Sequence, residues 1–426
     1  MDLIAWIEVS TRLGLLIGAI MVLVWLFRTI RLPGGRPACS ILAGVLAGLL
    51  LGPGVFGVLA PPHYQRLMEG AVAQRLDLEL TRAGHESALD ALRRTGVSPI
   101  AIDELASAQR AETARAERRL AAAHAERRRT AAIVAMALLA PLLASLLLVV
   151  GRVKERAAFS RGGEVNGVLA GLGSGIVSGL VAGLSTLVLL RWLLDLPLLP
   201  AAGVAGAVVG GALLHPLPMR WRPLIARGAA ARWFAHGLTL VAFVGVGAAI
   251  GVGPMGWWWA VLFVPWFGAW AMPASEDEPW FSTRRARAVV RVIVLWLALP
   301  LVVAETTVRL EPTQLLAGGP GPIVLVLIAC LACGAGHFIG AWLGLMTFAI
   351  GPPRDESTRF TLEAFMASGP ATSVVFCFVL VATNVVDPAS HPGAAATALV
   401  LLNALALELQ LDFARPLARA FDRGGT

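Results

Sequence analysis

The chain has 426 residues, of which 57% are hydrophobic and only 15% are charged. An ordinary soluble domain carries about 25% charged residues, so the composition excludes a water-soluble enzyme and leaves a chain whose apolar residues face lipid as well as one another. The formal net charge of +8 rests almost entirely on arginines at the ends of apolar stretches, which is the pattern of membrane topology rather than of a phosphate-binding stripe, and no nucleic-acid partner is expected.

A bilayer core about 30 Å thick needs about 20 apolar residues per spanning helix. The uncharged apolar runs are 12 to 30, 40 to 60, 131 to 151, 165 to 190, 199 to 215, 233 to 252, 256 to 273, 288 to 305, 321 to 349, 363 to 386 and 393 to 412. The opening stretch MDLIAWIEVSTRLGLL has neither a basic n-region nor a small-residue cleavage site, so the first run reads as a retained span. Positive charge gathers in alternate loops: Arg28, Arg31 and Arg36; Arg152, Lys154, Arg156 and Arg161; Arg220, Arg222 and Arg227; Arg284, Arg285, Arg287 and Arg291; Arg354 and Arg359; Arg415, Arg419 and Arg423. The positive-inside rule makes these loops cytoplasmic, which puts the N-terminus outside and the C-terminus inside, in a bacterial inner membrane. Cys39, Cys330, Cys333 and Cys377 all lie in or beside apolar runs and imply no disulfide framework.

The connection from 61 to 130 differs from the rest, with 12 Arg and 10 acidic residues. Long loops do not obey the positive-inside rule, and the alternation places this one outside. It predicts two helices, one over about 64 to 94 and a second beginning at Ser98 as N-cap with Pro99 at the first helical position. No Gly or Pro interrupts 100 to 140, so the second helix is expected to run on into the span at 131. The domains are therefore 1–60, two spans; 61–130, an extracytoplasmic helical hairpin; and 131–426, the remaining bundle. The hairpin reads either as a solvated stalk or homodimer contact, or as a docking arm for a protein partner.

Ionisable residues inside a span are costly and usually face a cavity or a partner. Glu305 lies at the end of its run, where an interfacial position competes with a place on an ion path; His337 lies well inside an apolar run; Glu363 is either a helix-start cap or part of the same path. Gly369-Pro370 interrupts the run 363 to 386, because proline removes an amide donor and clashes with the preceding turn. Ser368, Thr372 and Ser373 surround the break and offer hydroxyls to the freed carbonyls, while a packing kink is the alternative reading. Cys330, Cys333 and His337 form one helical stripe, but no fourth ligand is visible and no metal site or cofactor is expected. Ser174, Ser178 and Ser185, interleaved with glycines, read as close-packing positions. No Ser, Cys, His and acidic group cluster with the spacing of a nucleophilic enzyme.

The stretch ILAGVLAGLLLGPGVFGVL, and later VLFVPWFGAWAMP, LWLALPLVVAETTVRLEPTQLL, GHFIGAWLG and FTLEAFMASGPATSVVFCFVLVATNVVD, resemble in kind and order the segments of the monovalent cation:proton antiporter superfamily, the sodium/hydrogen exchanger-like membrane proteins. The resemblance covers about 40 to 60 and 165 to 412. It implies an all-α polytopic membrane helix bundle of about 11 to 13 spans with inverted repeats and discontinuous helices, to which the hairpin is an insertion. It also implies a secondary transporter that exchanges a monovalent cation or another solute for protons by alternating access. The ion path would then include Glu305, His337, which stands where the family has a basic residue, Glu363, Ser368, Gly369, Pro370 and Thr372. Where the family carries an aspartate, this chain has HGLTLVAFVGVGAAIGV, without a carboxylate. A second expectation follows from that departure: a transport-incompetent platform that senses or assembles through its hairpin.

Overall fold

The structure is a computed structural model that describes residues 3–30, 35–95, 102–127, 165–210, 229–251, 292–316, 321–348 and 370–423, with residues 100 and 289. Among the described residues every regular element is helical. Five helical stretches are long and apolar enough to cross a bilayer: Ile7–Thr29, Ala38–Leu59, Gly171–Leu193, Val326–Phe348 and His391–Leu409. The apolar helices Leu198–Val209, Gly237–Ala249, Val294–Thr307 and Ser373–Ala382 are shorter. The chain is an all-α, membrane-embedded protein. The predicted runs at 131 to 151 and 256 to 273 lie outside the described residues, as does the expected continuation of the second hairpin helix into residue 131. The chain divides into two compact units, Met1–Leu15 with Val55–Val134, and Leu16–Gly54 with Ala135–Thr426.

In the first unit, the start of α1 (Leu3–Thr29) joins two short helices, α3 (Phe56–Leu59) and α4 (Pro61–Tyr64), a π-helical turn at Gln65–Glu69, α5 (Val72–Arg94) and α6 (102–127). The sequence reading starts the first hairpin helix at about 64, whereas α5 starts at Val72, because Gly70 (φ 66°) and Ala71 (φ 59°) are both left-handed and break the ladder. Interhelical bonds fix α5 and α6 as an antiparallel pair: Arg82 to Glu117 at 2.7 Å, His85 Nδ1 to Thr113 at 3.1 Å and His85 Nε2 to Glu112 at 3.0 Å. As residue numbers rise along α5 they fall along α6, and the same register sets Gly70 beside Arg127. The Arg127 guanidinium pairs with Glu8 of α1, and burial lowers its pKa from the ordinary value. Leu78 and Ala116 are buried along the hairpin, and Val9, Leu13, Met68 and Ala71 are buried nearer its base.

A side chain at Gly70 would meet Arg127 Nη1 at 2.5 Å and the Glu8 carboxylate at 2.8 Å, on a backbone that already disfavours a Cβ. Gly70→Val is therefore expected to loosen the hairpin base by about 1–3 kcal/mol. Protease cleavage between 61 and 130 in reconstituted protein should accelerate relative to Gly84→Val, whose Cβ would meet nothing within 4 Å. Equal cleavage rates for the two variants would refute this.

The second unit is built on close helix contacts. Here α2 (Gly35–Leu51) packs on α10 (Leu299–Thr307), and α7 (Val165–Leu193) packs on α12 (Gly321–Phe348) and on α9 (Ala229–Gly251). Gly336, Gly340 and Gly344 of α12 sit against Ala182, Ser178 and Ser174 of α7, so the two helices run antiparallel with backbone touching backbone. Leu331, Phe338, Ile339, Trp342 and Met346 of α12 point out of the bundle, whereas Val326 and Leu345 are buried. On α2, Gly44 and Gly48 face Pro300, Val303, Ala304 and Thr307 in the same manner.

Pro300 has no N–H, and α10 is entered through a π-helical turn at Val294–Ala298 whose last bond runs from Leu299 N–H to the Val294 carbonyl. In that register Pro300 would have served the Leu295 carbonyl. The Ser40 hydroxyl of α2 donates to it instead, at 2.5 Å. A hydroxyl from a neighbouring helix thus satisfies the carbonyl that proline orphans inside an apolar bundle.

Candidate functional site

Two helices define the site. The first, α8 (Leu198–Val209), leaves a loop in which Asp195 is left-handed (φ 49°) and Arg191 Nη1 donates to the Leu196 carbonyl at 2.7 Å. It is buried over Gly203–Val209 and stops at Gly210, whose backbone is extended (φ −64°, ψ 105°). Its 12 residues measure about 18 Å, against about 30 Å for a bilayer core. The second, α13, is described over Pro370–Ala382 and is closed by a turn at Asn384 (φ 56°). Beyond the turn, Ser390 caps α14 (His391–Arg423) by accepting the Gly393 N–H at 3.3 Å.

α8 and α13 lie side by side and antiparallel: Gly203 faces Leu380, and Gly210 faces Phe376. At their inner ends the buried Ser373 hydroxyl donates to the Gly210 carbonyl and reaches the Val208 carbonyl at 3.4 Å. The carbonyl-rich end of α8 therefore adjoins Ser373 of α13. α8 also crosses α9 closely, with Gly206 against Gly245.

His337 of α12 completes the arrangement. It is 3% exposed, and its partner is the fully buried Ser178 of α7, which donates to the His337 carbonyl at 2.8 Å and lies 3.3 Å from Nδ1. Its other nitrogen, Nε2, is buried without a hydrogen bond. Cys330, on the same stripe, turns instead toward α14 and reaches the Leu399 carbonyl at 3.6 Å. Among the described residues no three His, Cys, Asp or Glu side chains are grouped to hold a metal.

The other predicted positions are distributed as follows. Glu305 lies on α10 within a continuously buried stretch, Leu299–Thr307, and is 5% exposed. Pro370 and Thr372 lie in α13. Glu363, Ser368 and Gly369 lie outside the described residues. Among the described residues the bonds of His337 go to Ser178 and not to a carboxylate. Glu408 and Asn403 are buried on α14. Sequence reasoning missed the Val208 and Gly210 carbonyls and the role of Ser178 as the partner of His337. The one available signal was Gly210-Gly211 inside an apolar run, a place where a helix readily stops.

The architecture defines a polytopic helical membrane protein with a short buried helix, α8, in its interior. No family model matches the chain, and no curated protein matches it.

Proposed function

We propose that the chain is a secondary transporter of antiporter-like fold, with about 11 to 13 spans, that exchanges a monovalent cation or another solute for protons by alternating access. One observation carries this reading: α8, a helix too short to cross a bilayer, ends within the bundle with its last carbonyls against the buried Ser373 of α13. Exposed peptide groups in an apolar interior are tolerated where they line a cavity or are met by protein, and transporters place substrate at such ends. The N-terminus would lie outside and the C-terminus in the cytoplasm of a bacterial inner membrane. Proteoliposomes with an imposed pH gradient test the reading: addition of Na+, K+ or Li+ is expected to collapse the gradient, and a gradient indifferent to all three removes monovalent cation/proton exchange.

A second reading, a membrane platform working through its hairpin, is favoured by the compactness of the unit Met1–Leu15 with Val55–Val134 and its own set of ion pairs. Replacing residues 64–128 with a short Gly-Ser bridge is expected to leave cation-dependent proton flux intact if the bundle is the working part. Loss of the cellular phenotype with flux preserved supports the hairpin as a docking arm for a protein partner or a second copy.

A further inference from the structure

We propose, building on the hairpin reading rather than on transport, that the hairpin docks head to tail on a second copy of this chain. In that contact the back of α5 in one copy lies on the back of α6 in the next. The side that α5 turns to α6 holds Leu78 and His85. On the opposite side, at about 3.6 residues per turn, stand Val72, Leu76, Leu80, Ala83 and Ser87. All five are exposed, Leu76 by 54% and Leu80 by 64%. Asp77, Glu79 and Glu86, also exposed, border this stripe. Two arginines of α5 are engaged elsewhere, Arg75 with Glu69 and Arg82 with Glu117. The back of α5 is therefore apolar with an acidic border.

The back of α6 is its complement. Opposite the buried Gln109 and Ala116 stand Ala111, Arg115, Arg118 and Ala122, with Ala108 and Arg119 beside them, all exposed. Small side chains leave room for leucines, and three guanidinium groups match three carboxylates. Elsewhere the chain has less charge to offer: α8, α11 (Pro312–Leu316) and α13 carry none.

The register follows from the membrane. Arg127 ties the hairpin base to Glu8 of α1, beside the start of a stretch, Ile7–Thr29, long enough to cross a bilayer. Two copies in one bilayer therefore start their hairpins from one level, and residues at equal heights correspond as they do within one hairpin, where Arg82 meets Glu117 and His85 meets Thr113. Carried to the neighbour, that register sets Leu76 level with Ala122, Glu79 with Arg119, Leu80 with Arg118 and Ser87 with Ala111. Leu80 then lies along the aliphatic stem of Arg118, and Glu86 falls within one turn of Arg115. Glu112, the acid level with Glu86, is turned to its own His85. Pairing α5 with α5 would instead gather the carboxylates of both copies along one seam, and pairing α6 with α6 would gather the arginines. The two backs lie on opposite edges of the hairpin, so the contact is heterologous and passes from copy to copy, closing as a ring where the rotation permits.

The test co-expresses two differently tagged full-length copies, one with Ser87→Cys and the other with Ala111→Cys, and adds a mild oxidant to intact membranes. The four native cysteines belong to the other unit, and the unsubstituted chain gives the baseline. A disulfide-linked mixed pair is expected, with neither single variant linking to itself above that baseline. A copy carrying both substitutions is expected to run on to trimers and beyond. Arg115→Glu with Arg118→Glu, in the Ala111→Cys copy, is expected to cut the yield of mixed pairs about tenfold, and Glu79→Arg with Glu86→Arg in the other copy to restore it. No mixed pair, a Ser87→Cys copy that links to itself, a ladder that ends at the dimer, or a yield indifferent to charge reversal overturns the proposal. Absent cross-links, together with loss of the phenotype when 64–128 are replaced, overturn it and leave a docking arm for a different protein. Cross-links in the full chain, with a phenotype that survives that replacement, keep the contact and remove the hairpin as the working part.

Discussion

Replacing Gly340 with leucine is expected to prevent the bundle from assembling. A Cβ at this position would lie 2.5 Å from the Ser178 Cα and 3.0 Å from its backbone nitrogen. Backbone cannot swing aside as a side-chain tip can, so α7 and α12 must separate along their whole contact. Ordinary overpacking of a core costs about 1–3 kcal/mol, and forcing two backbones apart should exceed it. The separation would also break both contacts between Ser178 and His337. The monodisperse fraction in detergent chromatography and the melting temperature should both fall. Leu331→Ala, at a side chain 68% exposed on the outer face of the same helix, should change neither. A Gly340→Leu protein with wild-type profile and melting temperature would refute the backbone contact.

The second large effect is expected from Ser373→Val. The hydroxyl donates to the Gly210 carbonyl and reaches that of Val208, both at the end of α8. Valine keeps the approximate shape and removes the only donor α13 brings to these carbonyls among the described residues. A buried acceptor deprived of its donor costs about 1–3 kcal/mol, which is about one to two decades in the population of the closed arrangement. Hydrogen exchange at Gly210, whose N–H bonds to the Gly206 carbonyl, should therefore accelerate, and cation-dependent proton flux should fall about tenfold. Ser373→Thr, which retains a hydroxyl, should restore both. Unchanged exchange together with unchanged flux in Ser373→Val would refute a holding role for this serine.

The sequence discloses the helical membrane character directly, because apolar runs of bilayer length need no knowledge of partners. It also discloses that 61–130 is chemically distinct and holds two helices, while the expected cap at Ser98 and Pro99 lies outside the described residues. What it hides is pairing across distance. The break before Val72 depends on Ala71 adopting a left-handed backbone, for which alanine gives no signal. Ser178 reads as a small packing residue, and it does sit against Gly340; its second role requires knowing that residue 337 lies across from it. The same holds for Ser40, whose use is legible only once Pro300 and its π-helical turn are placed beside it. Ser373, three residues beyond the Gly369-Pro370 motif, likewise gives no local sign that it meets the end of α8.

The contact between α7 and α12 also reverses the usual map of mutational tolerance. In a soluble core the large side chains point inward, and trimming them is what destabilises the fold. In α12 most of the large side chains, Leu331 and Trp342 among them, point outward, and Gly336, Gly340, Gly344 and His337 point in beside the buried Val326 and Leu345. Lipid is as apolar as leucine, so helix association here draws on close fit rather than on removal of apolar surface from water. Trimming the outer row should therefore be close to silent, and adding even one methyl to the inner row should be felt. A saturation scan of α12 would show a helix whose tolerance falls as side-chain volume rises on one face and is nearly flat on the other.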